Sequence, residues 1–247
     1  MKITILTLFP AMIEGFIHES ILKRAQEKGA VTIDIVHIRD FATDAYGTVD
    51  GRPYGGGAGM VMRVDILKKV FAAIPAPRHT ILTSAKGKPF TQKKAQELAQ
   101  MEHLVLLAGH YEGVDERIMD EVDEEISLGD FVLTGGELAA ASICDAVVRL
   151  LPGVLKKDNA TTEESFFVVS VKHLTKVVGQ HPILQKLQEK GIAEVRLLEY
   201  PQYTRPEDCE GKKVPAILLS GDPKKIKVWQ LQKAFEETLA KRPDLVS

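Results

Sequence analysis

Two glycine-bracketed runs carry the groups in this chain best placed to do chemistry. The first is Gly109-His110-Tyr111-Glu112-Gly113, and the second is Leu128-Gly129-Asp130-Phe131-Val132-Leu133-Thr134-Gly135-Gly136. The first follows Leu104-Val105-Leu106-Leu107-Ala108, an apolar run too short for a lone helix and typical of a strand buried on both faces. The second follows Glu125-Ile126-Ser127-Leu128. Strands that stop in glycine expose bare main-chain N–H and C=O groups, and open α/β sheets bind ligands at that rim.

The surroundings narrow the ligand. Neither GxGxxG nor GxxxxGK[ST] occurs, so no dinucleotide or P-loop fingerprint is present. From 112 to 130 carboxylates far outnumber cations, with Arg117 the one arginine. A bare polyphosphate fits such a rim poorly, whereas a neutral base joined to a positive centre fits well. Most of these carboxylates read as the solvated face of a helix over 114–122. Glu112 lies inside the glycine turn and reads as functional.

Three other stretches carry polar chemistry. Residues 39–59, RDFATDAYGTVDGRPYGGGAG, form a long polar segment, and structureless loops beyond about 12–15 residues tend to be functional. Asp50 and Tyr54 there offer hydrogen-bonding and stacking groups. Arg149 sits in the last turn of a helix, where a cation complements the helix dipole. A basic helix over 223–241, with Asp222 as N-cap and Pro223 at its first position, carries Lys224, Lys225, Lys227 and Trp229. It suits an RNA backbone about as well as a solvated helix that packs Trp229, Leu231 and Phe235 inward.

The elements that must position these groups follow from periodicity. A strand over 3–8, a helix from Pro10 to the stop at Gly29 and a strand over 31–36 form a βαβ unit, which implies a parallel sheet. A helix spans 64–74, and a strand over 79–84 ends in the turn Ala85-Lys86-Gly87-Lys88-Pro89. A helix then covers 91–100. After the two central strands, Gly135-Gly136-Glu137 opens a helix with apolar positions up to Leu150. Residues 156–165 lack periodicity and read as a linker. A strand over 166–169 and a helix ended by Gly191 follow.

The 247 residues, 45% hydrophobic and 27% charged, are those of an ordinary globular chain of one or two domains, and a net charge of −2 announces no polyanion. No apolar run approaches the roughly 18 residues of a membrane span. Cys144 and Cys209 have no metal-ligand spacing, and a reduced, cytoplasmic protein is expected.

Read together, the motifs resemble bacterial tRNA (guanine-N1)-methyltransferases. The resemblance rests on Leu8-Phe9-Pro10, Arg39-Asp40-Phe41, Thr48-Val49-Asp50, Arg52-Pro53-Tyr54-Gly55-Gly56-Gly57, Gly59-Met60 and Tyr111-Glu112-Gly113-Val114-Asp115-Glu116-Arg117. It continues in Ser127 to Leu133, Gly135-Gly136-Glu137-Leu138, Leu151-Pro152-Gly153-Val154-Leu155, Tyr203-Thr204-Arg205-Pro206 and Leu218-Leu219-Ser220-Gly221. It implies an α/β fold whose parallel sheet carries a trefoil knot, the SPOUT class, plus a small α-helical C-terminal domain. The implied division is residues 1–158 for the methyltransferase domain, 159–198 for a linker with an insertion over 167–196, and 199–247 for a helical tRNA-binding domain.

The implied activity is transfer of the methyl of S-adenosylmethionine to N1 of guanosine at tRNA position 37, just 3′ of the anticodon, by a homodimer. Implied cofactor contacts are Ser84, Ala85, Gly109, Tyr111, Glu112, Leu128, Gly129, Asp130, Phe131, Val132, Leu133, Gly135 and Gly136. Asp50 and Gly59 match tRNA-contacting positions. Glu164, in Glu163-Glu164-Ser165-Phe166, matches the family's general base, an aspartate there, and Arg149 matches the arginine that steadies the guanine O6. A magnesium requirement belongs to the resemblance and is assigned to no residues. His110 replaces a frequent arginine, and Pro223 and Gln230 replace a histidine and an arginine. Two alternatives stay open: a knotted methyltransferase with another RNA target, and an RNA-binding homologue without catalysis.

Overall fold

The computed structural model describes residues 1–156 and 164–247. Two compact units divide the chain, 1–158 and 159–247. The linker reading over 156–165 falls mostly on 157–163, which lie outside the described residues together with Glu163 and the 158/159 division.

In the first unit, β1 (Lys2–Thr7), β2 (Thr32–His37), β5 (His79–Pro89), β6 (His103–Ala108) and β7 (Glu124–Ser127) form one sheet. Its order is β2-β1-β6-β5-β7 and every pairing is parallel. The α/β parallel-sheet expectation is met. Alternate residues serve opposite faces, as a period of two requires. Ile3, Ile5, Leu104, Leu106 and Ile81 pack on one side with α5 (Glu137–Val148). Leu6, Val105, Leu107 and Leu82 pack on the other with α3 (Val64–Ala72).

Several local readings are corrected. The helix expected from Pro10 to Gly29 is two, α1 (Pro10–Ile17) and α2 (Ser20–Glu27), and Ser20, the first residue of α2, has a φ of 50°. In one continuous helix of about 3.6 residues per turn, Leu22 would face away from Ile13. The break lets both reach the core. The segment over 114–122 is a 3-10 helix, Glu116–Glu121, capped by Asp115.

The expected turn at 85–89 is part of β5. Pairing with β7 lapses after Thr83 and resumes at Lys88, so Ser84 to Gly87 form a bulge rather than an end. Residues 39–59 are more ordered than a loop. They hold a 3-10 turn, Ile38–Phe41, and reach β3 (Asp50–Gly51), which pairs with β4 (Val61–Met62). Between these, the Asp44 carboxylate accepts from the Tyr46 and Thr48 amides, and Arg39 donates to the Gly47 carbonyl at 2.7 Å.

In the second unit, β8 (Phe167–Ser170) pairs antiparallel with β9 (Glu194–Leu197). The single helix expected between them is two, α6 (Val171–Val178) and α7 (Pro182–Glu189). They are divided where Gly179 takes a φ of 87° and His181 caps the second. Helix α9 (Pro223–Lys241) has the expected Asp222 cap and leading proline. Its Ala234 and Phe235 share one core with Val169, Leu174, Leu187 and Leu197. The segment read as an insertion is thus built into the same core as the C-terminal helix.

Candidate functional site

A cavity of about 290 Å³ opens at the C-terminal rim of β5, β6 and β7. Its walls come from the β5 bulge, the 109–114 turn after β6 and the 128–136 loop after β7. The three strands are parallel, so the topology itself gathers the ends of β6 and β7 beside the β5 bulge.

Close main-chain approach holds the rim together. The Gly136 amide donates to the Gly109 carbonyl at 2.6 Å. Thr83 Oγ1 donates to the Leu107 carbonyl at 3.2 Å and accepts from the Gly109 amide at 3.4 Å. A Cβ on Gly136 would stand 2.0 Å from Thr83 Oγ1 and 2.7 Å from the Gly109 nitrogen. Contact, not φ, demands glycine there.

Behind Gly135 lies a polar cluster. Glu137, only 1% exposed, accepts from Thr7 Oγ1 at 2.9 Å. Its other oxygen is 3.7 Å from His110 Nδ1, a buried nitrogen without a hydrogen-bond partner. The imidazole packs against the rings of Phe9 and Tyr111, at 4.8 and 4.7 Å between centroids. A Cβ on Gly135 would collide with both Glu137 and His110.

The 109–114 turn also joins the candidate tRNA segment. The Glu112 amide donates to Met60, the Met62 amide to Gly113 and the Asp115 amide to Met62, at 2.9–3.0 Å. The Glu112 carboxylate packs on Gly59, where a Cβ would come within 2.3 Å of Oε1 and φ is +83°. Tyr111, itself at a φ of 59°, interacts with Asp50 and Arg39. Burial first, then the bond to Asp50, raise its phenol above the usual range, and Arg39 opposes them.

Of the thirteen expected cofactor contacts, all but Gly129 and Asp130 line the cavity. Gly129 instead secures the loop, since its carbonyl and amide both bond Ser127 Oγ. Asp50 and Gly59 lie on the neighbouring strand pair and its loop. Arg149 is the C-cap of α5 and does not line the cavity. Glu164 belongs to the second unit, where its carbonyl accepts from the Phe167 amide at 3.0 Å. Sequence reading did not single out Thr83, Lys86 or Glu125 as cavity residues, or Glu137 as buried. The first two adjoin Ser84 and Ala85, and that adjacency was the available signal.

Among the described residues no group of three or more His, Cys, Asp or Glu could hold a metal ion, and no helix is long and apolar enough to cross a membrane. The family model described as tRNA (guanine-1)-methyltransferase TrmD matches residues 1–247. A tRNA (guanine-N(1)-)-methyltransferase of Carboxydothermus hydrogenoformans is 48% identical over 248 residues, spanning all of this chain and 87% of the relative. Proteins of the same name from Geobacillus kaustophilus and Bacillus subtilis are 48% and 45% identical, again over the whole chain and 91% and 92% of their own lengths.

Proposed function

This chain belongs to the tRNA (guanine-1)-methyltransferase family, and we propose that it methylates N1 of guanosine at tRNA position 37 from S-adenosylmethionine. The observation that carries the reading is the cavity, whose walls include nearly every residue the family resemblance assigns to the cofactor. Gly109, Gly135 and Gly136 keep side chains off that wall, so a flat neutral adenine can lie close to the main chain. Leu82, Leu128, Leu133 and Ala139 give it apolar walls, and Glu112, Glu116 and Glu125 place carboxylates where a positive centre is held. When bound, S-adenosylmethionine supplies an activated methyl on its sulfonium.

The chain's own work is to position and to move one proton. Guanine N1 carries a proton at neutral pH, so a base must remove it before the nitrogen lone pair can attack. Glu164 takes that proton in this reading, and Arg149 donates to O6 as negative charge develops there. Asp50 and the Gly59 main chain orient the guanosine. The backbone bonds of Glu112, Met62 and Asp115 hold that segment beside the cofactor wall, and an in-line displacement draws much of its rate from such alignment. The exposed lysines Lys224, Lys225 and Lys227 of α9 serve the tRNA backbone. Outside the cavity, α1 and α5 expose Met12, Phe16 and Leu138, an apolar face that suits a homodimer. A trefoil knot comes with the family's fold, and a cytoplasmic location with its substrate.

Incubation with labelled S-adenosylmethionine and tRNA bearing G or A at position 37 tests the reading. Label is expected only with G, and equal labelling rejects it. Glu164→Gln is expected to lower turnover by about 100-fold or more while S-adenosylhomocysteine binding stays unchanged. A fully active variant moves the base elsewhere.

A further inference from the structure

We propose that Lys86 recognises the carboxylate of the cofactor's amino-acid end, and so distinguishes the full cofactor from adenosyl ligands that lack that end. This rests on the cavity being the S-adenosylmethionine site. Lys86 is the only lysine or arginine lining the cavity among the described residues, against the carboxylates of Glu112, Glu116 and Glu125. The ligand has both signs at its amino-acid end: an ammonium and a sulfonium suited to carboxylates, and one carboxylate that needs a cation. Lys86 is exposed at the cavity mouth.

Its position is built rather than incidental. Lys86 sits in the four-residue bulge where β5 leaves β7 after Thr83 and rejoins it at Lys88, and bulges beside active sites re-aim side chains. Two contacts hold the bulge. The Lys86 amide donates to Ser84 Oγ at 3.2 Å. Gly87 lies so close to β7 that a Cβ would meet the Glu125 carbonyl carbon and the Ile126 nitrogen at 2.5 Å. Ser84, Ala85 and Lys86 all face the cavity, whereas Gly87 is spent on the sheet.

Calorimetry with two ligands tests this. S-adenosylhomocysteine carries the amino-acid end, whereas 5′-methylthioadenosine keeps adenosine and sulfur and lacks it. Lys86→Met, which retains the alkyl stem, is expected to weaken S-adenosylhomocysteine about 3- to 10-fold, the range between an exposed ion pair and a charge-assisted hydrogen bond. Its affinity for 5′-methylthioadenosine should stay within about twofold of wild type, and rising salt should weaken S-adenosylhomocysteine more in wild type than in the variant. Equal weakening of both ligands, or no weakening of either, overturns the role of Lys86. If wild type binds neither ligand, the cofactor reading of the cavity falls, and this inference with it.

Discussion

The two ends of the five-stranded sheet are built from the same strands and treat polar groups in opposite ways. At the N-terminal end, side chains pair with one another. His79 Nε2 is 2.8 Å from Glu124, Lys94 reaches the other oxygen of Glu124 at 3.1 Å, and Arg78 meets Glu121 at 3.0 Å. Thr4 bonds His103, and Asp123 accepts from the Thr80 amide. At the C-terminal end the walls are glycine backbone, and a buried nitrogen of His110 stands 3.7 Å from Glu137 without a hydrogen bond. One end closes its polar groups into side-chain pairs, whereas the other bonds main chain to main chain around a cavity and leaves the His110 nitrogen unpaired. An unpaired buried nitrogen costs stability, and this one belongs to a residue of the cavity wall.

The sharpest way to break the contrast is Gly136→Ala. Its Cβ would force apart Thr83, Gly109 and Ala108, so a loss of about 2–4 kcal/mol is expected, with S-adenosylhomocysteine binding abolished. Denaturant melts and calorimetry would read both, and a stable, binding-competent variant would mean that the rim is loose. Next comes a matched pair of histidines. His79→Ala should cost about 1–2 kcal/mol with the Kd for the cofactor unchanged. His110→Ala leaves the rings of Phe9 and Tyr111 without their partner and should also cost about 1–2 kcal/mol, but it alone of the pair should weaken the cofactor several-fold. The reverse pattern would erase the distinction between the two ends.

The smallest effect concerns acid. Burial pushes the Glu124 carboxyl up, but its bonds to His79 and Lys94 outweigh that and hold it below 4.5. The stability it contributes is therefore present above about pH 4.5 and lost as pH falls through its lower folded value. Burial, helped by Lys2 and Arg78, lowers His103 below 6.5, so the unfolded chain takes up that proton first and stability declines from about pH 6.5 downward. Melts between pH 7 and about 3 should show a decline that Glu124→Gln flattens below about pH 4.5. An unchanged slope in the variant would assign the acid sensitivity to other groups.

Much of the rim was legible in the sequence, because short apolar runs ending in glycine have few other meanings. The β5 bulge was not. Ala85-Lys86-Gly87-Lys88-Pro89 has the composition of a turn, and only the approach of Gly87 to the β7 backbone returns it to the sheet. Glu137 read as the opening of a helix, while its burial depends on Thr7, 130 residues earlier. The division near Ser20 was hidden because Ile13 and Leu22 are both apolar, and only their relative angle betrays the break. Residues 167–197 carry weak periodicity in short elements, so their core emerges only once Phe235 supplies the other half.

The amides of Glu112, Met62 and Asp115, donating to Met60, Gly113 and Met62, couple two ribbons through the main chain, beside the side-chain contacts of Tyr111 with Asp50 and of Glu112 with Gly59. Mechanical strain entering at Asp50 or Gly59 would therefore reach the opposite wall through the main chain even where Tyr111 or Glu112 is replaced. Hydrogen exchange would register the two ribbons opening as one body, and a compound wedged against either should be felt by whatever occupies the other.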